Sequence, residues 1–151
     1  MALSANTNYD FRNVGAQKRY SGVVVTALVI YKGALVVRTQ SSGKLRPAAN
    51  ATGTTFLGIA TAGTTSSTAL PVTGASDGSV LCEVVNDVEA LLTLAASVTI
   101  ATAGSVKLYC VDDASVTTSN TLGPEVGTMV QWVSTTTGWI GLRQSQLTSA
   151  S

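Results

Sequence analysis

The chain has 151 residues and a mass of 15.4 kDa, enough for one domain and too short for two independent cores. Hydrophobic residues make up 45% of it and charged residues only 11%, which excludes a disordered, highly charged tail protein. The net charge of +1 argues against a general nucleic-acid binder, and the absence of histidine removes the usual general base, the commonest metal ligand and the Ser–His and Cys–His nucleophile pairs.

Ser and Thr fill the space left by charge, at about a quarter of the chain, and Val, Ile and Thr together reach roughly three residues in ten. β-Branched side chains are stiff at χ1 and suit a pleated sheet, so the expected class is all-β. A sparsely charged surface is expected of a protein covered by other protein; a neutral, Thr-coated secreted domain has the same composition.

The opening Met1–Asp10 has neither a basic nor an apolar region and does not read as a secretory signal. Residues 1–20 follow no hydrophobic period and read as an extended N-terminal arm. Tyr9 and Phe11 belong to a small aromatic set (2 Trp, 4 Tyr and 2 Phe), and Arg12, Lys18 and Arg19 follow them. An arm that spends such residues is expected to dock on a partner.

A β domain is expected over residues 21–143. Val23–Ile30 is almost continuously apolar, as in a strand buried on both faces. In so small a domain the second cover is expected from another copy, which makes Val23, Val25, Leu28 and Ile30 candidate oligomer-interface residues. Lys32-Gly33 is a turn, Ala34–Thr39 a strand and Gln40–Gly43 a polar loop. Further strands are expected at Thr55–Thr61, Leu70–Thr73, Ser79–Val85 and Ala90–Leu94. Gly63–Thr68 is read as a loop, and Gly74–Gly78 and Asn86-Asp87 as turns. The Ala and Leu content of Val84–Ala96 leaves a short helix there as the alternative. Val98–Ile100 and Val106–Val111 come next. Val126–Val133 then alternates, with Val126, Thr128, Val130 and Trp132 on one face, and the loop Thr135–Gly138 closes a hairpin onto Trp139–Leu142. Residues 144–151 form a polar tail. About ten short strands with frequent turns predict a compact β-barrel or β-sandwich.

Neither Val23–Tyr31 nor Ala90–Val106 offers the ~18–20 apolar residues of a membrane-spanning helix, and no membrane partner is expected. The sequon Asn50-Ala51-Thr52 and the repeated Ile-Ala-Thr-Ala-Gly at Ile59–Gly63 and Ile100–Gly104 carry little weight in a sequence this rich in Ala, Thr and Gly. Cys82 and Cys110 lie on apolar strand faces without a C-x-x-C pair. They are expected to be buried thiols, and a disulfide would require neighbouring strands. No metal or cofactor is expected.

Charge is uneven. Residues 1–46 hold seven of the nine cations with one acid, Asp10; residues 47–151 hold Lys107 and Arg143 against seven acids. Such ends could orient neighbouring copies, or the two signs could mix on folding. No G-x-S-x-G, P-loop or H-E-x-x-H occurs. Asp112-Asp113 is a candidate cation site, with a hairpin turn the favoured alternative. Trp132 and Trp139 could form a sugar- or base-stacking platform, as in a carbohydrate-binding module, or pack on the core. Arg38, Lys44 and Arg46, near Tyr31, could touch phosphate, but a net charge near zero argues against nucleic acid.

One ordered set of segments points further. It comprises Val23–Ile30, Lys32-Gly33-Ala34-Leu35-Val36-Val37, Phe56-Leu57-Gly58-Ile59-Ala60, Gly104-Ser105-Val106-Lys107-Leu108-Tyr109, Val116-Thr117-Thr118, Leu122-Gly123-Pro124-Glu125-Val126-Gly127 and Trp139-Ile140-Gly141-Leu142-Arg143. Over about residues 20–143 the chain resembles the small capsid cement, or head decoration, proteins of tailed bacteriophages. The resemblance implies a compact β domain, usually a homotrimer, that sits on the outside of the shell, binds the major capsid protein and reinforces it without catalysis. The arm residues Tyr9, Phe11, Arg12, Lys18 and Arg19 are then the candidate capsid contacts. A tail-tube subunit is the alternative within the same structural class.

Overall fold

The computed structural model describes residues 2–7, 11–62, 70–95, 106–119 and 123–143, with the side chains of residues 11, 13–17 and 62 outside that description. Among these residues the fold is all-β. The strands are β1 (Phe11–Val23), β2 (Val29–Ile30), β3 (Leu35–Thr39), β4 (Leu45–Pro47), β5 (Thr54–Ala62), β6 (Val72–Thr73), β7 (Leu81–Leu94), β8 (Lys107–Cys110), β9 (Ser115–Thr117), β10 (Glu125–Ser134) and β11 (Thr137–Leu142). The expected strand at Val98–Ile100, the loop Gly63–Thr68 and the tail 144–151 lie outside the described residues. No helix among the described residues is long and apolar enough to cross a membrane.

β7 is the spine. Its C-terminal half pairs with β11 on one edge and, in parallel, with β9 on the other. β11 pairs with β10, β10 with β8 and β8 with β9, so β7-β11-β10-β8-β9 closes into a five-stranded barrel. The N-terminal half of β7 leaves the barrel and continues into the sheet β7-β5-β3-β4. Along its other edge β1 runs antiparallel, from Phe11 opposite Ala90 to Val23 opposite Leu81.

Two cores result. The first fills the barrel and reaches the sheet, with Phe56, Ile59, Val85, Leu92, Leu108, Val126, Ile140 and Leu142 among its members. The second lies on the other face of the sheet and joins Val24, Ile30, Val36, Leu45, Leu57, Leu70, Val72, Cys82 and Val84, with Leu3, Tyr20 and Val80 packed against it. β3 stands between them: Leu35 and Val37 face the first core, Ala34 and Val36 the second.

β7 changes cores along its length. Cys82 and Val84 face the second core, whereas Val85, Val88, Ala90, Leu92 and Leu94 face the first. The phase shift is made at Asn86 and Asp87, where Asp87 takes φ 57°. The expected turn at Asn86-Asp87 is therefore a bulge inside one continuous strand. The side-chain amide of buried Asn86 donates to the carbonyl of Leu57, and its Oδ1 accepts from the Asp87 N–H at 2.7 Å. The short helix considered for Val84–Ala96 is also overturned. Every even-numbered residue from Cys82 to Leu94 is buried, and that period-2 burial outweighs helix propensity.

A further expectation is corrected. Val23–Ile30 is not one strand: β1 ends at Val23, a turn with φ 66° at Ala27 follows, and β2 holds only Val29 and Ile30. Ile30 is fully buried in the second core, and Val23, Val25 and Leu28 are half-buried. The strands covered on both faces are β3 and β5, and both covers come from this same chain. The segment 1–20, expected as an extended arm, is held against this chain's own strands where it is described. Residues 11–20 belong to β1. Ahead of them, the Leu3 N–H donates to Asp113 at 2.8 Å, the Asn6 amide donates to the Leu70 carbonyl at 2.6 Å, and the Thr7 N–H donates to the Lys32 carbonyl at 2.8 Å.

Candidate functional site

The structure places four of the five arm residues expected as partner contacts. Tyr9 lies outside the described residues, and Phe11 is placed only by its backbone, opposite Ala90. The three cations form a ladder across the β1–β7 pair. Arg12 Nε lies 3.1 Å from Glu89, Lys18 Nζ 3.4 Å from Asp87 and Arg19 Nη1 2.9 Å from Glu83. Arg12 sits directly opposite Glu89, whereas Lys18, opposite Asn86, reaches the neighbouring Asp87, and Arg19, opposite Val85, reaches Glu83 diagonally; the acids alternate along β7 with its buried residues. These pairs neutralise part of the charge asymmetry of the sequence. Sequence reasoning named the cations and missed Glu83, Asp87 and Glu89 as their partners; the signal was the odd-numbered spacing of acids within an alternating strand.

Arg12 does more than pair. Its Nη1 donates to Gln131 Oε1 at 3.0 Å, and its guanidinium carbon lies 3.8 Å from the centroid of the Trp139 ring. One side chain therefore ties β1 to β7, β10 and β11. Trp132 packs against the first core, whereas Trp139 alternates with the core residues Ile140 and Leu142 and faces outward. The two indoles lie on opposite sides of the barrel wall and do not form the shared stacking platform considered from the sequence. The expected face Val126, Thr128, Val130 and Trp132 is also corrected. Irregularities between Glu125 and Gly127, after Met129 and after Trp132 shift the register, so Val126, Met129 and Trp132 face inward while Val130 and Val133 are 49% and 46% exposed. Beside Val130 a cavity of about 310 Å³ is lined by Asp87, Val88, Glu89, Gly141, Leu142 and Arg143.

Asp112-Asp113 is a turn between β8 and β9. Asp112 Oδ1 accepts from the Ala114 N–H at 2.8 Å, the Ser115 N–H at 2.8 Å and the Ser115 hydroxyl at 2.9 Å. Burial opposes its ionisation, yet these donors help hold its carboxyl below the usual carboxylate range. Burial pushes the Asp113 carboxyl up, against the opposing pull of the Leu3 N–H. No group of three or more His, Cys, Asp or Glu among the described residues could hold a metal ion. Both cysteines are free and buried, Cys82 in the second core and Cys110 in the first. Burial raises both thiols, Cys82 to about 12.

No family model, curated protein or solved structure matches this chain.

Proposed function

We propose that this chain is a structural virion protein, a cement or decoration protein that binds the outside of a tailed-phage capsid and stabilises the shell. The observation that carries this is where the resembling segments fall. Lys32–Val37, Phe56–Ala60, Gly123–Gly127 and Trp139–Arg143 supply β3, β5, the start of β10 and β11, and so build both cores rather than surface loops. The ionisable side chains support it too: the acids on β7 hold β1, and Asp112 and Asp113 hold turns and the N-terminal segment.

On this proposal the protein is no enzyme and needs no cofactor. It is made in the host cytoplasm and ends on the outer capsid surface. Its partners are the major capsid protein and two further copies of itself in a homotrimer. Contact through Tyr9, Phe11, Arg12, Lys18 and Arg19 belongs to the proposal, with the three cations contributing the flanks that their β7 partners leave exposed. The test uses shells purified without this protein. They are incubated with it and pelleted, and light scattering reports its oligomeric state. The expected result is saturable co-pelleting and shells that withstand a higher temperature. Protein left in the supernatant, with shell stability unchanged, overturns the proposal.

A further inference from the structure

We propose that the turn end of the β3–β4 hairpin is a docking site for a carboxylate side chain of a partner protein. That the partner is the capsid shell rests on the function proposed above; the chemistry of the site does not.

The first observation is an imbalance of charge. Among the described residues Glu83, Asp87, Glu89 and Glu125 hold ion pairs with Arg19, Lys18, Arg12 and Lys107. Asp77 accepts from the Ser79 N–H, Asp112 from its turn and Asp113 from Leu3. No described acid pairs with Arg38, Lys44 or Arg46, which lie within one hairpin. The fold matches its acids and leaves this end cationic.

The second observation is independent of charge. Arg46 Nε and Thr39 Oγ1 are both buried without a hydrogen-bond partner. Arg46 sits opposite Val37, and the Thr39 N–H donates to the Lys44 carbonyl at 2.9 Å. Alternation along the two strands therefore places Arg46, Thr39 and Lys44 on one face. The orphaned hydroxyl of Thr55, on β5 opposite Arg38, lies with Arg38 on the other face of the sheet and is no part of this site. Buried donors without acceptors are costly, and polar atoms left this way mark a place where an acceptor belongs.

A carboxylate fits. It is acceptor-only, with about four lone-pair sites, so it can take the Arg46 Nε–H and the Thr39 hydroxyl together while the Lys44 ammonium balances its charge. The hairpin is already pinned for this: the Gly43 N–H donates to the Thr39 carbonyl at 2.8 Å and the Lys44 N–H to Ser42 Oγ at 3.3 Å. A second copy of the chain is a poor occupant, since its described acids are engaged internally. Nucleic acid is disfavoured because three cations on a chain of net charge +1 neutralise few phosphates.

The full chain, isotopically labelled, is titrated with hexaglutamate, and its amide resonances are followed. Hexalysine and a short single-stranded DNA are the comparison ligands. The expected result is a saturable shift confined to residues 38–46 and 54–56, with roughly millimolar affinity, and no such shift with hexalysine. Lys44→Glu, at the hairpin end and away from both cores, should weaken it at least tenfold with an unchanged melting temperature. Arg46→Lys, which keeps the charge and loses the Nε–H, should weaken it as well. No local shift, equal affinity in Lys44→Glu, or tighter binding of DNA at the same amides would each overturn the proposal. None of these measurements involves a shell, so a failure here is distinct from a failure of the pelleting test.

Discussion

Gly58 and Gly43 both have positive φ, 154° and 71°, yet they are not equivalent. A Cβ on Gly58 would lie 2.2 Å from the Val85 carbonyl oxygen, because β5 approaches β7 closely beside the Asn86-Asp87 bulge where β7 changes cores. Nothing lies within 4 Å of the corresponding point at Gly43. Gly58→Ala should cost about 3 kcal/mol and Gly43→Ala about 1 kcal/mol, which thermal melts of the two variants will separate by several degrees. Asp113 gives a prediction that depends on pH. Its folded-state carboxyl is raised, first by burial and further by Asp112, so the folded chain holds that proton more tightly than the unfolded chain. The group's ionisation therefore costs stability above the raised value, and the cost disappears as pH falls through it. Asp113→Asn keeps an acceptor for the Leu3 N–H and removes the charge. It should melt at or above the parent's temperature at pH 7, with the gap closing towards acid. A gap that widens on acidification refutes the assignment. At this scale the sequence showed which residues are apolar but not which way Val130 and Trp132 point, because a bulge in β10 is a property of strand pairing.

The element whose character changes most between sequence and structure is β1. Its residues carry no hydrophobic period, so the sequence shows an unpatterned segment with aromatic and basic side chains. What makes it a strand is the long edge of β7, whose residues are some 70 positions away, and no local signal encodes that. β7 was legible as two strands for the opposite reason: its alternation is plain, and Asn86-Asp87 carries turn chemistry that here serves a bulge. β3, β5, β10 and β11 were legible almost to their ends, since alternation and Gly- or Thr-rich turns bound them. Arg12 is where the attachment of β1 is most exposed to test. Arg12→Ala removes the Glu89 pair, the Gln131 bond and the Trp139 contact together. On a surface screened by solvent these should sum to about 1 kcal/mol. Arg12→Lys should restore less than half of that, because an ammonium cannot lie on the indole and hold both partners at once. Calorimetry of the three proteins checks the order.

The whole molecule is two cores joined by a shared wall, and its cysteines report on both. Cys82 and Cys110 belong to different cores, so neither can reach the other without unfolding, and the raised thiols leave little thiolate at neutral pH. The native protein should react with an aromatic disulfide reagent only slowly, and both thiols should appear in a single step when denaturant unfolds it. Two steps would mean that the cores open separately. The class was legible from composition, but the division was not. It depends on β3 being covered from both sides, and the sequence suggested that role for Val23–Ile30 instead. The consequence for β3 lies in exchange with solvent. An amide can trade its hydrogen for deuterium only when its strand is exposed, and freeing Val36 or Val37 breaks both cores at once. At a stability of about 8 kcal/mol this should slow their exchange roughly a millionfold, in step with global unfolding, while β1 exchanges earlier through local openings.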